Sequence, residues 1–422
     1  MRDRRAAEEL TAADASNVEI DAQDQVNVFL LAGILGQGGF VSRDGSADLA
    51  SVRAVIGSRL RDAGATGLRR FAQRVVSRGR RLVWEPCEPD LSWHVRQVEP
   101  VAGREGLAAL CAGLMATPLP TDRPLWELLI VPGVAESGPG IVLRVHHAVA
   151  DGVAGVRLAR QLFDRPTSPE EAQPPTPAGP RRTPWASLVT AVARLTAMFR
   201  ATVPPTALLG AIGPNRGVVL AEVDLARLKR GASAAGGTLN DALLAAVAAA
   251  AAAILRAAGE AVPPALPASV PVALPDRGGS GNAVGVMLVP LPTGEGDAAA
   301  RVRQIARLTS AAKDEARAQG TYELTRTRWG SRLFAALARR QRFIAVFVTN
   351  VRGPAEALHL AGAPLEHAWP VAPIQGNVRL GVAAFSYAGR LSCAAHLDAA
   401  ALDHVQFRRT LADELERIAE LG

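Results

Sequence analysis

The chain has 422 residues, 49% of them hydrophobic and 21% charged, enough for two domains with sizeable cores and too apolar for a disordered polymer. Its net charge of +7 comes almost wholly from arginine, with lysine only at Lys229 and Lys313, and no base-reading or stacking residues accompany the arginines, which excludes a nucleic-acid binder. Cys87, Cys111 and Cys393 are widely spaced, make neither a metal-ligand pattern nor a disulfide framework, and fit a reducing cytoplasm. The first residues, MRDRRAAEELTAADAS, are charged and lack the apolar stretch of a signal peptide.

In chain order, Val26 to Leu35 reads as a strand and Leu49 to Leu60 as a helix with one apolar face. RRLVWEP and LSWHVRQV read as strands separated by the turn CEPD, and Gly106 to Met115 as a helix. Leu125 to Val131 and Ile141 to His147 follow as strands, and Gly155 to Leu162 as a helix. Asp164 to Pro184 then carries seven prolines and no apolar run, the composition of a stiff connector. An amphipathic helix from Trp185 to Arg200 follows it.

Beyond the connector, helices are predicted near Leu225 to Ala235 and from Asn240 to Ala258, then strands at Ala268 to Leu274 and Val284 to Leu291. A helix through Ala298 to Ala318 leads to the strands FIAVFVTNV, LGVAAFSY and RLSCAAHL and a charged terminal helix, Leu402 to Leu421. ALLAAVAAAAAAIL, Ala242 to Leu255, is uncharged but shorter than the roughly 20 residues of a spanning helix, so it reads as a core helix. Domains are expected over 1–163 and 216–422, with the proline-rich crossover and its helix at 164–215. The fold class is α/β, with mixed sheets and flanking helices.

The chemistry concentrates in IVLRVHHAVADGVAG, Ile141 to Gly155, where two of the chain's seven histidines are adjacent. In a strand alternate side chains share a face, so Leu143, Val145 and His147 point one way while Arg144 and His146 point the other. His147 is placed where the chain leaves the strand, and Asp151 lies close enough for a turn to bring it beneath the histidines. Gly152 supplies backbone freedom at that turn. A near-neutral imidazole suits removal of a proton from an alcohol or amine, and a purely structural histidine pair is the other reading. Metal binding is disfavoured, because adjacent strand residues face apart and no HExxH or CxxC completes a ligand set. No GxSxG elbow, phosphate loop or dinucleotide motif is present.

His146-His147-Ala-Val-Ala-Asp151-Gly152 fits HHxxxDG, a motif of the acyltransferases that include chloramphenicol acetyltransferase and peptide-synthetase condensation domains. DRPLWELLIVPGV, TLNDALLAAV, SVPVALP, GNAVGVMLVPLPT and FVTNVRGPAEALHLAGAPLEHAWPVAPI occur around it in the order of the bacterial wax ester synthase/acyl-CoA:diacylglycerol acyltransferase family, which the chain resembles from about Trp93 onward. The first 90 residues agree mainly at LTAADA. QVNVFLLAGIL stands where the family carries a Met-His pattern, and Arg352 replaces the proline of an NVPGP turn beside Asn350, Gly353 and Pro354.

The resemblance implies two domains of chloramphenicol-acetyltransferase type with a tunnel at their interface; Pro124, Leu125 and Trp126 read as a packed corner, with Trp126 as a tunnel-lining residue the other reading. It implies an acyl-CoA co-substrate with no permanently bound cofactor and no metal, and a hydroxyl-bearing lipid acceptor. His147 would be the general base, His146 its support and Asp151 a brace of the loop. Asn240, beside Asp241 at a helix start, is either part of a cap or a donor to the thioester oxygen; Gly152 is a turn residue or a substrate contact. Arg352 is a candidate for the cofactor's phosphates. A cytoplasmic enzyme, peripheral to the membrane or to lipid inclusions, is expected. An acyltransferase of specialised metabolism and a non-catalytic lipid-binding homologue are the alternatives.

Overall fold

The computed structural model describes residues 7–21, 25–61, 67–79, 81–150, 152–163, 203–273, 284–294, 296–318 and 339–422. The proline-rich stretch Asp164 to Pro184, the expected helix Trp185 to Arg200, and Asp151 lie outside the described residues.

The first part runs β1 (Glu8–Glu9), α1 (Ala12–Glu19), β2 (Val28–Leu35), α2 (Leu49–Arg61), a 3-10 turn (Gly67–Ala72), β3 (Gln73–Arg78), β4 (Arg81–Pro86), α3 (Leu91–His94), β5 (Val95–Gln97), α4 (Gly103–Met115), β6 (Trp126–Val131), β7 (Gly140–His146) and α5 (Gly152–Phe163). The second runs β8 (Arg216–Asp224), α6 (Leu225–Ala234), α7 (Leu239–Ala257), β9 (Ala265–Ala273), β10 (Val284–Pro292), α8 (Ala298–Ala318), β11 (Val346–Arg352), β12 (His359–Leu360), β13 (Ala363–Val371), β14 (Leu380–Tyr387), β15 (Arg390–Asp398) and α9 (His404–Ala419).

Most elements form where hydrophobic periodicity places them, and LSWHVRQV is an instructive exception. Asp90 accepts the backbone N–H of Ser92 and caps a helical turn, α3, so only Val95–Gln97 remains strand. β13 is a strand that periodicity misses, because Pro364 and Pro370 interrupt the pattern.

The chain forms two compact units, and the connector is not their only boundary. The first takes the described residues up to Phe163 together with Val351–Pro373 and Phe385–Ala388; the second takes 203–350, Ile374–Ala384 and Gly389–Gly422. The expected division into 1–163 and 216–422 left out two later segments, Val351–Pro373 and Phe385–Ala388, which join the first unit. β13 crosses back to pair antiparallel with β2, Leu365 opposite Leu35 and Val371 opposite Leu30. The physical reason is the edge of β2, whose other side is taken by β7; without β13 its backbone donors and acceptors would lack a ladder.

The first unit's main sheet has the order β12-β13-β2-β7-β6-β5, and β1, β4 and β3 form a small sheet beside it. One face of the main sheet, with Ile141, Leu143, Val145, Leu128 and Ile130, buries against Val52 and Ile56 of α2, Phe71 of the 3-10 turn, and Leu158 and Leu162 of α5. The second unit's sheet is ordered β10-β9-β11-β14-β15-β8. Its core holds α7, buried from Asp241 to Ala252, together with Phe407, Leu411, Leu415 and Ile418 of α9. α7 is long and apolar enough to cross a membrane, yet most of it is covered by this unit. Beside it α6 and α9 approach closely: at Gly231 of α6 a Cβ would meet the Ile418 carbonyl oxygen at 1.8 Å.

Candidate active site

The site grows out of β7. Its core face is apolar, and its opposite face carries charge: Arg144 stands directly across the ladder from Glu127 of β6. Arg144 Nη1 donates to Glu127 Oε1 at 2.9 Å, and Arg96 of β5 donates to the other carboxylate oxygen at 2.8 Å. Arg144 and Glu127 are both buried. Burial pushes the Arg144 guanidinium below its ordinary pKa, while the hydrogen bond it donates to Glu127 opposes the shift. A buried pair of this kind costs desolvation, which offsets much of its Coulombic gain.

One residue pair further along, the strand ends in the histidines. His146 is buried on the charged face, opposite Val28. Its Nδ1 accepts the backbone N–H of Ala148 at 3.0 Å, and its Nε2 lies 3.4 Å from Asp21 Oδ2. An amide N–H can donate only to an unprotonated ring nitrogen, so the proton sits on Nε2, facing the carboxylate. His146 thereby holds the loop through both ring nitrogens.

His147 is the first residue past β7 and is half-buried. Its backbone N–H donates to the Asn27 carbonyl at 2.9 Å. Its ring stands edge-on to Phe29 of β2, with centroids 5.5 Å apart at 71°. The split between the two histidines expected from strand alternation is thus present, with the strand shifted one residue toward the N-terminus of the predicted span. Phe29 in turn lies against α5, where a Cβ on Gly155 would come 2.8 Å from Phe29 Cε2. Gly152, expected in a turn, is the first residue of α5.

These elements are shared with known proteins. Residues 10–201 match the wax ester synthase/diacylglycerol acyltransferase catalytic domain, and residues 280–419 match that family's C-terminal domain. A Mycobacterium tuberculosis protein named as a diacylglycerol O-acyltransferase is 30% identical over 343 residues, covering 71% of this chain and 68% of that protein.

The chain belongs to the wax ester synthase/diacylglycerol acyltransferase family.

A second Mycobacterium tuberculosis protein named as a diacylglycerol O-acyltransferase is 29% identical over 373 residues, 79% of this chain and 80% of its own length. Among solved structures, the wax ester synthase/diacylglycerol acyltransferase of Marinobacter aquaeolei VT8 superposes with a TM-score of 0.72 at 22% identity, covering 97% of this chain and 98% of that one. A trichothecene 15-O-acetyltransferase of Fusarium sporotrichioides follows at 0.66 and 11% identity, covering 98% and 94%. The starter condensation domain of rhizomide synthetase, solved with C8-CoA and Leu-SNAC, reaches 0.57 at 14% identity, covering 98% and 94%. The mixed α/β fold of chloramphenicol-acetyltransferase type is the one expected. The protein is an acyltransferase.

The remaining candidates of this acyltransferase separate clearly. In the second unit, Thr238 and Asp241 form a reciprocal capping box at the start of α7, and Thr309 of α8 donates to the other Asp241 oxygen at 2.7 Å. Asp241 is therefore fully engaged in structure. Asn240, half-buried in the same turn, makes no side-chain hydrogen bond among the described residues, which leaves its amide available. Arg352, the last residue of β11, is exposed, and the next residue, Gly353, packs so closely that a Cβ would meet the Phe385 ring at 2.4 Å. Tyr387 is a structural clamp: its hydroxyl donates to the Leu365 carbonyl and accepts the Leu358 N–H. Trp126 is buried, with its indole N–H on the Phe71 carbonyl. Burial pushes the Cys111 and Cys393 thiols up to about 12, which removes both as nucleophiles near neutral pH.

Three residues at this site escaped the sequence reading: Asp21, Asn27 and Phe29. None belongs to a motif, and the one local signal was the departure QVNVFLLAGIL itself, which contains two of them.

Proposed function

We propose that the protein transfers the acyl group of a long-chain acyl-CoA to the hydroxyl of a lipid acceptor, a fatty alcohol or diacylglycerol, with His147 as general base. The observation that carries this is the asymmetry of the histidine pair. His146 is buried and uses its ring nitrogens on Ala148 and Asp21 to hold the loop, and His147 stands half-buried at the strand end, its main chain tied to Asn27 and its ring edge-on to Phe29. In the reaction a ring nitrogen of His147 takes the acceptor hydroxyl proton as that oxygen attacks the thioester carbonyl. The C–S bond then breaks, and the proton passes to the departing CoA thiolate, giving the ester and free CoA. Two of the three thiols are held protonated by burial, in keeping with direct attack rather than a covalent acyl-enzyme. Asn240 is assigned to the thioester oxygen, since an uncommitted amide donor suits a developing oxyanion. Asp151 braces the histidine loop, and Arg352 meets the CoA phosphates. The C8-CoA carried by the related condensation domain supports a CoA donor.

The arginine-rich chain, with net charge +7, supports work at an anionic surface, the cytoplasmic face of a membrane or a lipid inclusion. Incubation of the purified protein with palmitoyl-CoA and an acceptor panel that includes hexadecanol and diacylglycerol tests the reading. Stoichiometric release of CoA with wax ester or triacylglycerol is the expected result. Ester formed only with a non-lipid alcohol would move the enzyme to specialised metabolism, and no turnover would leave a lipid-binding protein. His147→Ala abolishes transfer, by roughly 10²–10⁴-fold in rate, while the protein stays folded; near-normal turnover in that variant sinks the base assignment.

A further inference from the structure

The segment between α1 and β2 carries none of the family motifs, yet it supplies the contacts that fix both histidines. Asp21 uses its two carboxylate oxygens separately. Oδ1 accepts the backbone N–H of Asn27 at 2.7 Å, and Oδ2 faces His146 Nε2 at 3.4 Å. The Asn27 carbonyl accepts the backbone N–H of His147 at 2.9 Å, and the Asn27 side-chain amide donates to Asn17, whose carbonyl and side-chain oxygens each lie 3.1 Å away. A closed ring of contacts results, running from Asp21 through Asn27 to His147, and through the peptide bond and His146 back to Asp21. The Asp21 side chain is 9% exposed, so the ring is largely shielded from competing water. Arg144, buried on the same face of β7 as His146, feels the Asp21 charge and supplies a cation on that side.

We propose that Asp21 is a positioning residue for His147: it fixes the tautomer of His146 and the main chain at Asn27, and together these aim the His147 ring. The inference rests on the proposed role of His147. Its logic is one of hydrogen-bond polarity. Ala148 N–H demands a bare Nδ1 on His146, so Nε2 must carry the proton and its neighbour must accept. Asp21 is an acceptor at both oxygens. Asparagine at the same place has the same shape but one acceptor and one donor. Turned either way, it sets an NH₂ group against the Asn27 N–H or against the Nε2 proton.

Asp21→Asn therefore lowers kcat by roughly tenfold or more with KM changed by less than about threefold, a split that misplacement of a base produces and lost substrate binding does not. Asp21→Ala does the same and also melts earlier. Nitrogen-15 NMR of the histidine rings in the full-length protein reads the positioning directly. His146 is expected as the Nε2–H tautomer in the wild type, and the His147 ring signals, identified by their loss in His147→Ala, move in Asp21→Asn. A folded Asp21→Asn protein with wild-type kcat, an Nδ1–H tautomer at His146, or unmoved His147 signals would each overturn the proposal. Turnover that survives His147→Ala would overturn the base assignment instead, and the ring spectra of Asp21→Asn still decide whether Asp21 positions His147.

Discussion

At the scale of single residues, adjacency in sequence conceals a division of labour. His146 and His147 differ by one position, yet strand alternation sends one ring to a buried acceptor and the other to a half-exposed edge against Phe29. The bare Cα of Gly155 keeps that edge in place. Gly155→Ala adds a methyl at 2.8 Å from Phe29 Cε2 and must push the ring or the helix. Overpacking costs about 1–3 kcal/mol, while alanine returns about 1 kcal/mol of helix propensity. The expected outcome is a modest fall in melting temperature and a several-fold loss of kcat, checked by calorimetry and steady-state kinetics side by side. A large loss of stability with normal kcat would show that Phe29 does not steer the histidine.

Elements show why a local motif can be mainly structural. The Asn240-Asp241 pair starts α7, and its two members part company: Asp241 bolts Thr238 to Thr309, and the Asn240 side chain makes no hydrogen bond among the described residues. Asp241→Ala removes a cap and buried charge-assisted bonds, and is expected to cost about 2–4 kcal/mol in denaturant unfolding. Asn240→Ala leaves stability unchanged and lowers kcat alone; a destabilised Asn240→Ala would return the whole pair to capping. α3 offers a pH test. His94 is buried, with its Nδ1 2.7 Å from the Trp126 carbonyl, and burial lowers its pKa to about 4. The unfolded chain, with an ordinary histidine near 6.5, binds a proton that the native state refuses. This contribution is complete above pH 6.5 and drains away as the pH falls toward 4, by roughly 3 kcal/mol. Denaturation midpoints at pH 7 and pH 4.5 should therefore diverge less in His94→Gln than in the wild type.

For the molecule as a whole, the connector is only one of the boundaries. A proline-rich stretch after Phe163 looks like a boundary, but the first unit is incomplete there: its core includes Leu358, Leu360, Leu365, Ala368, Phe385 and Tyr387, and β2 needs β13 at its edge. A fragment ending at residue 163 is expected to lack a cooperative melting transition and to bind a hydrophobic dye, whereas the full chain does neither. A sharp two-state transition in the fragment would show that the returning strand is dispensable. The fold class, most helices and strands, and the histidine motif were legible because each rests on local periodicity or on residues a few positions apart. Asp21, Asn27 and the Pro-bearing β13 were not, because nothing beside them in the chain shows what they will touch.

The sequence by itself determined the class of chemistry: a strand that ends in two histidines must aim them apart, and the ordered blocks around HHxxxDG mark the acyltransferase family. Only the tertiary structure decided which groups hold that pair and where the first unit closes. A carboxylate far upstream faces Nε2 of His146, and a strand from beyond the connector completes the sheet. Periodicity reports which face of an element is buried; hydrogen-bond partners across the fold are chosen by geometry that exists only once the sheet has formed.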